Sequence, residues 1–345
     1  MKRTIYILVI NLIFSLTIKS QDLIKDFLTG PLNDSKLLIE GYMAPFGEWL
    51  GTGLNSGWYN TAQPHQFPGF DVTGGIHFIT PPNQAKQFQP NLDQLIVNSN
   101  DGTLPTFIGQ AENTEITYLN PITNEYEILF NAPGGLNWDQ SIPMPYVQGS
   151  IGLVKKTEIL FRLAPRVKVQ DLKMGYFGIG FKHDIKQWIP GIKILPFDLS
   201  CSGGFSRLNS NLTFNPGQDL NFNVKAFNSN IILNKKILGF TPYMGLGYQY
   251  SQSELSLNGE YTILDWDGSE ISEGESFKIN DPINTSFGGV NGLKASFGAR
   301  LKLFLFTIHI DWTKADYDIF TIGIGLNSDI GSKLIGGSID KTIIN

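Results

Sequence analysis

Apolar and polar positions alternate with a period of two along most of the chain. In 219–226 the even positions are Leu220, Phe222, Val224 and Ala226, and the odd ones Asp219, Asn221, Asn223 and Lys225. In 238–250 an even set of Leu238, Phe240, Met244, Leu246, Tyr248 and Tyr250 opposes Gly239, Thr241, Gly245, Gly247 and Gln249. In 294–301, Ala295, Phe297, Ala299 and Leu301 face away from Lys294, Ser296, Gly298 and Arg300; in 304–312, Phe304, Phe306, Ile308, Ile310 and Trp312 face away from Thr307, His309 and Asp311. Runs 70–78, 147–153, 158–163, 197–206 and 319–326 repeat the pattern. Successive strand side chains point to opposite faces, so each run predicts a strand with one oily and one wet side. Segment 172–182 is ambiguous, because Lys173 shares its parity with Phe177 and Ile179. Counting it gives ten candidate strands.

Alternation alone also fits a soluble sandwich or a lipocalin-like barrel with the apolar face inward. Two details favour apolar faces turned outward. The apolar sides carry Phe, Tyr, Leu, Ile and Met, whereas the opposite sides are rich in Gly, Ser, Thr and Asn, which suits a crowded polar lumen. Aromatics also gather at strand ends, at Tyr248, Tyr250, Trp312, Tyr317 and Phe320, as an interfacial girdle would. A bilayer tolerates no open sheet edge. The expectation is therefore an all-β protein, a closed antiparallel transmembrane β-barrel of about 10–14 strands.

The alternation fails in three places. At the start, Lys2 and Arg3 precede an apolar run, Ile5 to Ile18, and then Lys19-Ser20; this reads as a secretory signal peptide (1–20) cleaved after Ser20, too short to span a bilayer as a helix. Residues 21–66 read as an N-terminal plug or luminal segment, with 37–59 either a short helix or an ordinary first strand with a turn. Residues 67–327 then form the barrel, interrupted by a Pro/Asn/Gly-rich excursion over 80–142, expected to be a constriction or lumen filler, and by an acidic, solvated loop over 259–285. A Gly/Ser/Lys tail occupies 328–345.

Composition narrows the function. The 345 residues carry 26 Lys plus Arg against 31 Asp plus Glu, a formal charge of −5. Removing Lys2, Arg3 and Lys19 leaves 23 basic residues, so the exported chain is near −8. That balance offers no basic stripe for a nucleic acid. Cys201 is the single cysteine, which rules out an internal disulfide, and its parity with Phe197, Leu199 and Phe205 turns it toward lipid. No phosphate-binding glycine loop, dinucleotide fingerprint, HExxH or GxSxG occurs. His77 and His309 lie on wet faces, where a luminal hydrogen-bond network would hold them. Pairs such as His183-Asp184 and His309-x-Asp311 are too common to signal a triad. The expectation is no enzyme, no cofactor and no metal.

The runs LNSGWYNTAQPHQFPGFDVT (54–73), LPTFIG (104–109), PMPYVQGSIGL (143–153), TEILFRLAP (157–165) and GIGFKHDIKQWIPGIKILPFDLS (178–200) carry a resemblance. Over roughly 36–327 the chain resembles an uncharacterised family of exported barrels, a domain of unknown function, similar in turn to the long-chain fatty-acid (FadL-like) transporters of Gram-negative outer membranes. The resemblance implies a plug folded into the lumen and a wall or lumen that passes hydrophobic molecules. The family runs single out Trp58, Tyr59, His65 and Phe70 for the plug or ligand, and Lys182, His183, Asp184 and Trp188 as a structural or luminal cluster. With Trp49, the aromatic residues would line a site between plug and wall. The chain departs from such proteins in lacking a terminal aromatic on its last strand. The expected function is a passive outer-membrane channel or transporter for small hydrophobic or amphipathic molecules, surrounded by outer-membrane lipid and inserted by the barrel-assembly machinery. The alternative is a non-transporting barrel that serves as scaffold or partner in secretion or surface attachment.

Overall fold

The computed structural model describes residues 26–120, 123–169, 171–264 and 276–328. The expected signal peptide over 1–20, the tail beyond Ser328 and the centre of the acidic loop lie outside the described residues. Ten antiparallel strands close into one barrel: β1 Phe70–Thr80, β2 Ile142–Leu153, β3 Thr157–Val169, β4 Leu172–Asp184, β5 Asp198–Asn215, β6 Gln218–Asn234, β7 Phe240–Asn258, β8 Ile283–Leu303, β9 Phe306–Lys314 and β10 Asp318–Ser328. Each strand pairs with its neighbours in sequence. The ring closes where β10 pairs with β1, from Phe70 opposite Ser328 to Thr80 opposite Asp318. No sheet edge of the barrel is left open, as a bilayer interior requires.

Alternation sets the two faces of the wall. On β9, Phe306, Ile308, Ile310 and Trp312 point outward and are exposed, while Thr307, His309, Asp311 and Thr313 point inward and are buried. The outward apolar belt continues through Ile322, Ile324 and Leu326 on β10, Val147 and Ile151 on β2, and Phe177, Ile179 and Phe181 on β4. On β7 it runs from Phe240 to Tyr250, which at about 3.3 Å per residue and about 45° of tilt rises about 25 Å, the height of an outer-membrane apolar band. Aromatics mark its borders. Trp312 is paired with Phe320 and Phe320 with Phe78 at one border, and Phe240, Phe304 and Phe306 sit at the other. Tyr317 is not part of this girdle: it is buried, with its hydroxyl donated inward to Glu48 at 2.6 Å.

The two ends of the barrel differ. One carries the turns 154–156, 235–239 and 304–305 and the 185–197 loop, and here β1 begins and β10 ends. The other carries the 81–141 excursion, the 259–282 hairpin and three tight turns. Strands β5 to β8 continue well past the belt at this long-loop end, and there their chemistry inverts. Leu220, Phe222, Val224 and Ala226 of β6 face the interior, and Asp219, Asn221, Asn223 and Lys225 face water. The oily side of 219–226 is therefore a core face, not a lipid face. Lys173 is resolved in the same way: it shares the outward face with Phe177 but lies beyond the belt, where charge meets solvent. A bulge between Gly288 and Asn291 of β8 lets that strand change parity as it crosses from one regime to the other.

Helix α1, Leu32–Asn55, fills the upper barrel and answers the 37–59 ambiguity. Leu38, Ile39, Tyr42, Trp49 and Leu50 recur at helical spacing and are buried against inward Phe222, Leu255 and Val290 and against the excursion. Glycine is costly in a helix interior, yet Gly47 and Gly51 stand one turn apart where an added Cβ would collide with Ser253 and Ser251 of β7. The close approach of helix to wall requires them. The 81–141 excursion contributes a small three-stranded sheet (95–97, 114–119, 126–132) that caps the long-loop mouth around the helix, so it packs above the belt and does not constrict the membrane-level lumen. Asp34 in the first helical turn ties the cap down, its carboxylate accepting the backbone N–H groups of Asp93, Gln94 and Leu95 at 2.9 Å each.

Candidate functional site

The lumen at membrane depth is occupied by the end of α1 and by the extended segment 56–66, which leads down to β1. A helix ends in unpaired carbonyls and a partial negative charge, and α1 has no basic residue in its last turn. The wall provides the complement. Arg162 of β3 donates to the Leu54 carbonyl at 3.4 Å and to Gln148 at 2.9 Å. Lys294 of β8 donates to the Asn55 carbonyl at 2.7 Å. Both cations are buried.

Around this clamp the wet faces of the strands form one network. The Arg162 guanidinium lies over Trp58 at 4.2 Å and near Tyr146 at 5.1 Å. His77 stacks on Tyr146 at 4.4 Å and pairs with Thr321 at 3.0 Å. The Tyr146 hydroxyl meets His309 Nε2 at 3.1 Å, and the Tyr243 hydroxyl donates to Asp311 at 3.1 Å. Lower down, Glu158 accepts from the His65 backbone N–H at 3.0 Å and pairs with Lys182 at 3.0 Å. Arg162, Lys294 and Glu158 are the key luminal charges that the sequence reading did not single out. Their signal was there: a full charge in wet register on a wall otherwise rich in Gly, Ser and Thr.

The residues that were singled out divide by depth. Trp58 is buried between Arg162 and the glycine-rich faces of β4 and β5, its Nε1 donating to the Leu54 carbonyl at 2.9 Å. Tyr59 packs edge-on to Tyr243. Trp49 stands higher, beside Phe46 and Trp138 under the cap. Trp58 and Tyr59 pack in one cluster with Tyr243, and Trp49 in another, so the three do not line one common site. Phe70 does not belong with them: as the first residue of β1 it faces outward, 44% exposed, because its parity is that of Val72 and opposite to Asp71. His65 lies inside, with its ring between Glu158 and Asn327. The Lys182-His183-Asp184 run is split by the pleat. Lys182 and Asp184 point inward, whereas His183 points outward and meets Thr157 at 2.8 Å and the indole N–H of the exposed Trp188 at 2.8 Å. No group of three or more His, Cys, Asp or Glu arranged for a metal occurs among the described residues. No described helix is long and apolar enough to cross a membrane.

The wall itself carries a groove of about 760 Å³. Outward Phe181, Ile231, Leu246, Tyr248 and Leu293 form its sides, and inward Ser202, Asn230 and Lys294 appear at its floor. The wall is thin here because Gly247 has no side chain, and a Cβ at that position would collide with Asn230 Oδ1. That buried oxygen has no hydrogen-bond partner.

Closed antiparallel strands, an outward apolar belt bordered by aromatics and a polar, plugged lumen define a β-barrel of outer-membrane type. The chain matches a family of unknown function (DUF6588) over residues 1–328 and belongs to it. Among solved structures it is similar to the attachment invasion locus protein Ail of Yersinia pestis, at 11% identity over 76% of this chain and 100% of that one, with a TM-score of 0.24. It is also similar to the outer-membrane protease OmpT of Escherichia coli, at 6% identity over 75% and 97% with a TM-score of 0.36. The toluene transporter TodX of Pseudomonas putida matches at 8% identity over 75% and 67%, with a TM-score of 0.26. No curated protein matches the chain.

Proposed function

We propose that the protein is a plugged outer-membrane barrel that binds and passes small hydrophobic or amphipathic molecules through its wall. The groove carries this reading. Its sides are mostly apolar, with Lys314 at the rim, so a hydrophobic solute would partition into it from the bilayer, and its polar floor includes Lys294, whose ammonium donates to the Asn55 carbonyl of the plug. In this reading the long-loop end faces outside and the short-turn end faces the periplasm, following the general rule for such barrels. Export by the signal segment and insertion by the barrel-assembly machinery belong to the same proposal. The role in this reading is non-catalytic, with His77, His183 and His309 in hydrogen bonds to Thr321, Thr157 and Tyr146 respectively.

The test is uptake of a fluorescent fatty-acid analogue and a neutral aromatic dye into liposomes holding the purified protein. Ser229→Trp fills the groove from its lipid side, without touching the lumen, and is expected to cut uptake at least several-fold. Equal uptake by protein-free liposomes, or by the variant, overturns the reading. A second reading, a surface partner, is favoured by one observation: Ile96, Leu119, Tyr126 and Ile128 form an exposed apolar patch on the cap sheet. Stable co-purification of a second protein, lost in Ile128→Glu, would support it.

A further inference from the structure

The acidic chain distributes its charge unevenly. Lys155 and Lys156 occupy one short turn, Lys186 and Lys193 the 185–197 loop, Lys235 and Lys236 another turn, and Lys302 the end of β8. All lie at the short-turn end. The long-loop end is richer in carboxylates, among them Glu254, Glu260, Asp281, Asp316, Asp318 and the excursion residues Asp93, Asp101 and Glu112, although Lys225, Lys278 and Lys314 there pair with three of them. Inside the short-turn mouth lies a cavity of about 140 Å³ between the descending plug segment and the wall. Thr61, Gln63, His65 and Gln66 line it from the plug, and Lys236, Thr241, Arg300, Lys302 and Asn327 from the barrel.

The charged side chains on this lining, Lys236, Arg300 and Lys302, are all cations, and no carboxylate is among the lining residues. Among the described residues, the carboxylates at this end are already engaged. Asp71 accepts from Arg300 at 3.5 Å and from Asn327 at 3.2 Å, Glu158 is held by Lys182 and His65, Asp184 pairs with Lys156, and Asp198 accepts from Asn234. Lys302 reaches Asn327. Lys236 makes no ion pair among the described residues. A single water needs only about 10–15 Å³ of such space, so the cavity has room for several waters, or for a tetrahedral oxyanion with part of its hydration shell. Guanidinium, ammonium, amide and hydroxyl groups converging on such a space are the donor set that phosphoryl oxygens accept from. Electrostatic focusing in a cationic, low-dielectric mouth raises the local anion concentration.

We propose that the short-turn mouth is a binding site for a phosphate-class oxyanion, held by Lys236, Arg300 and Lys302 and closed on the plug side by Gln63 and Gln66. The site is separate from the wall groove and stands whether or not the groove passes solutes. A phosphoryl group there would bridge plug and barrel, so that its binding would hold the segment 61–66 in place.

The experiment uses the full mature chain folded in detergent, with folding verified by heat-modifiable migration. Thermal unfolding is followed on titration with inorganic phosphate against chloride at matched ionic strength. A saturable rise in Tm specific to phosphate is expected. Lys236→Glu, in an exposed turn, should leave the phosphate-free Tm nearly unchanged and weaken phosphate binding at least tenfold; Lys193→Glu, on the same rim but off the cavity, should not weaken it. Soluble dihexanoyl phosphatidylglycerol is titrated in parallel. Competition with phosphate assigns the site to a lipid headgroup, and binding of phosphate alone assigns it to a free solute; either supports the proposal. Equal responses to phosphate and chloride, or an unchanged response in Lys236→Glu, overturn it.

Discussion

Strand β6 holds two opposite environments in one continuous pleat. Near Phe222 and Val224 the interior is apolar, packed against α1, and the exterior is wet; near Asn228 and Asn230 the interior is polar, and the exterior carries Phe227 and Ile231. The pleat decides which residues share a face, but depth relative to the bilayer decides which face is greasy. A period of two therefore reports strands reliably and orientation only once the solvent on each side is known.

Removing the plug should break the contrast most strongly. Deletion of residues 32–66 takes the apolar partner from the upper wall and leaves Arg162 and Lys294 lining a water-filled bore. Planar-bilayer recordings should show a conductance absent in the full chain and selective for anions; a silent barrel would mean that the lumen is closed by something other than the plug. Next in size, Phe222→Ala should cost about 3–5 kcal/mol, as for other buried aromatics cut to alanine, because its ring packs on Phe46 and Phe287. Denaturant unfolding in lipid reads this directly.

The outer surface gives a sharper version of the same test. Ile310→Arg, in the belt, should cost about 2–4 kcal/mol, whereas Asn223→Arg, outward on the same barrel but above the belt, should stay within about 0.5 kcal/mol. Equal costs would displace the membrane boundary drawn here. The smallest effect concerns pH. Burial raises the Glu48 carboxyl above its ordinary value, Asp316 adds to the rise, and the hydrogen bond from Tyr317 partly opposes it. A carboxyl whose folded value is raised favours folding most in its protonated form, so this contact weakens as pH climbs from about 4.5 through the raised value. Glu48→Gln should flatten the corresponding part of the stability profile, read as Tm between pH 4 and pH 7.

Much of the barrel was legible residue by residue. Phe306, Ile308, Ile310 and Trp312 announced a lipid face because no charge interrupts their parity, and Cys201 followed its neighbours outward. The candidate site was legible only in pieces. Trp58, Tyr59 and His65 do reach the lumen, but Phe70 faces away from it by a single step of the pleat, and the same step separates Lys182 from His183. Arg162 and Lys294 looked like ordinary wet positions, since their partners are carbonyls of a helix more than a hundred residues distant in the chain.

By itself the sequence determined the strands, their two-faced character and the closed antiparallel class, because alternation is a local property written in adjacent residues. Tertiary structure alone decided how high the belt rises, that 219–226 turns its oily side inward, and that the wall's cations cap a helix within the lumen. Those outcomes depend on what solvent or partner stands opposite each face, and that is fixed only when distant segments meet.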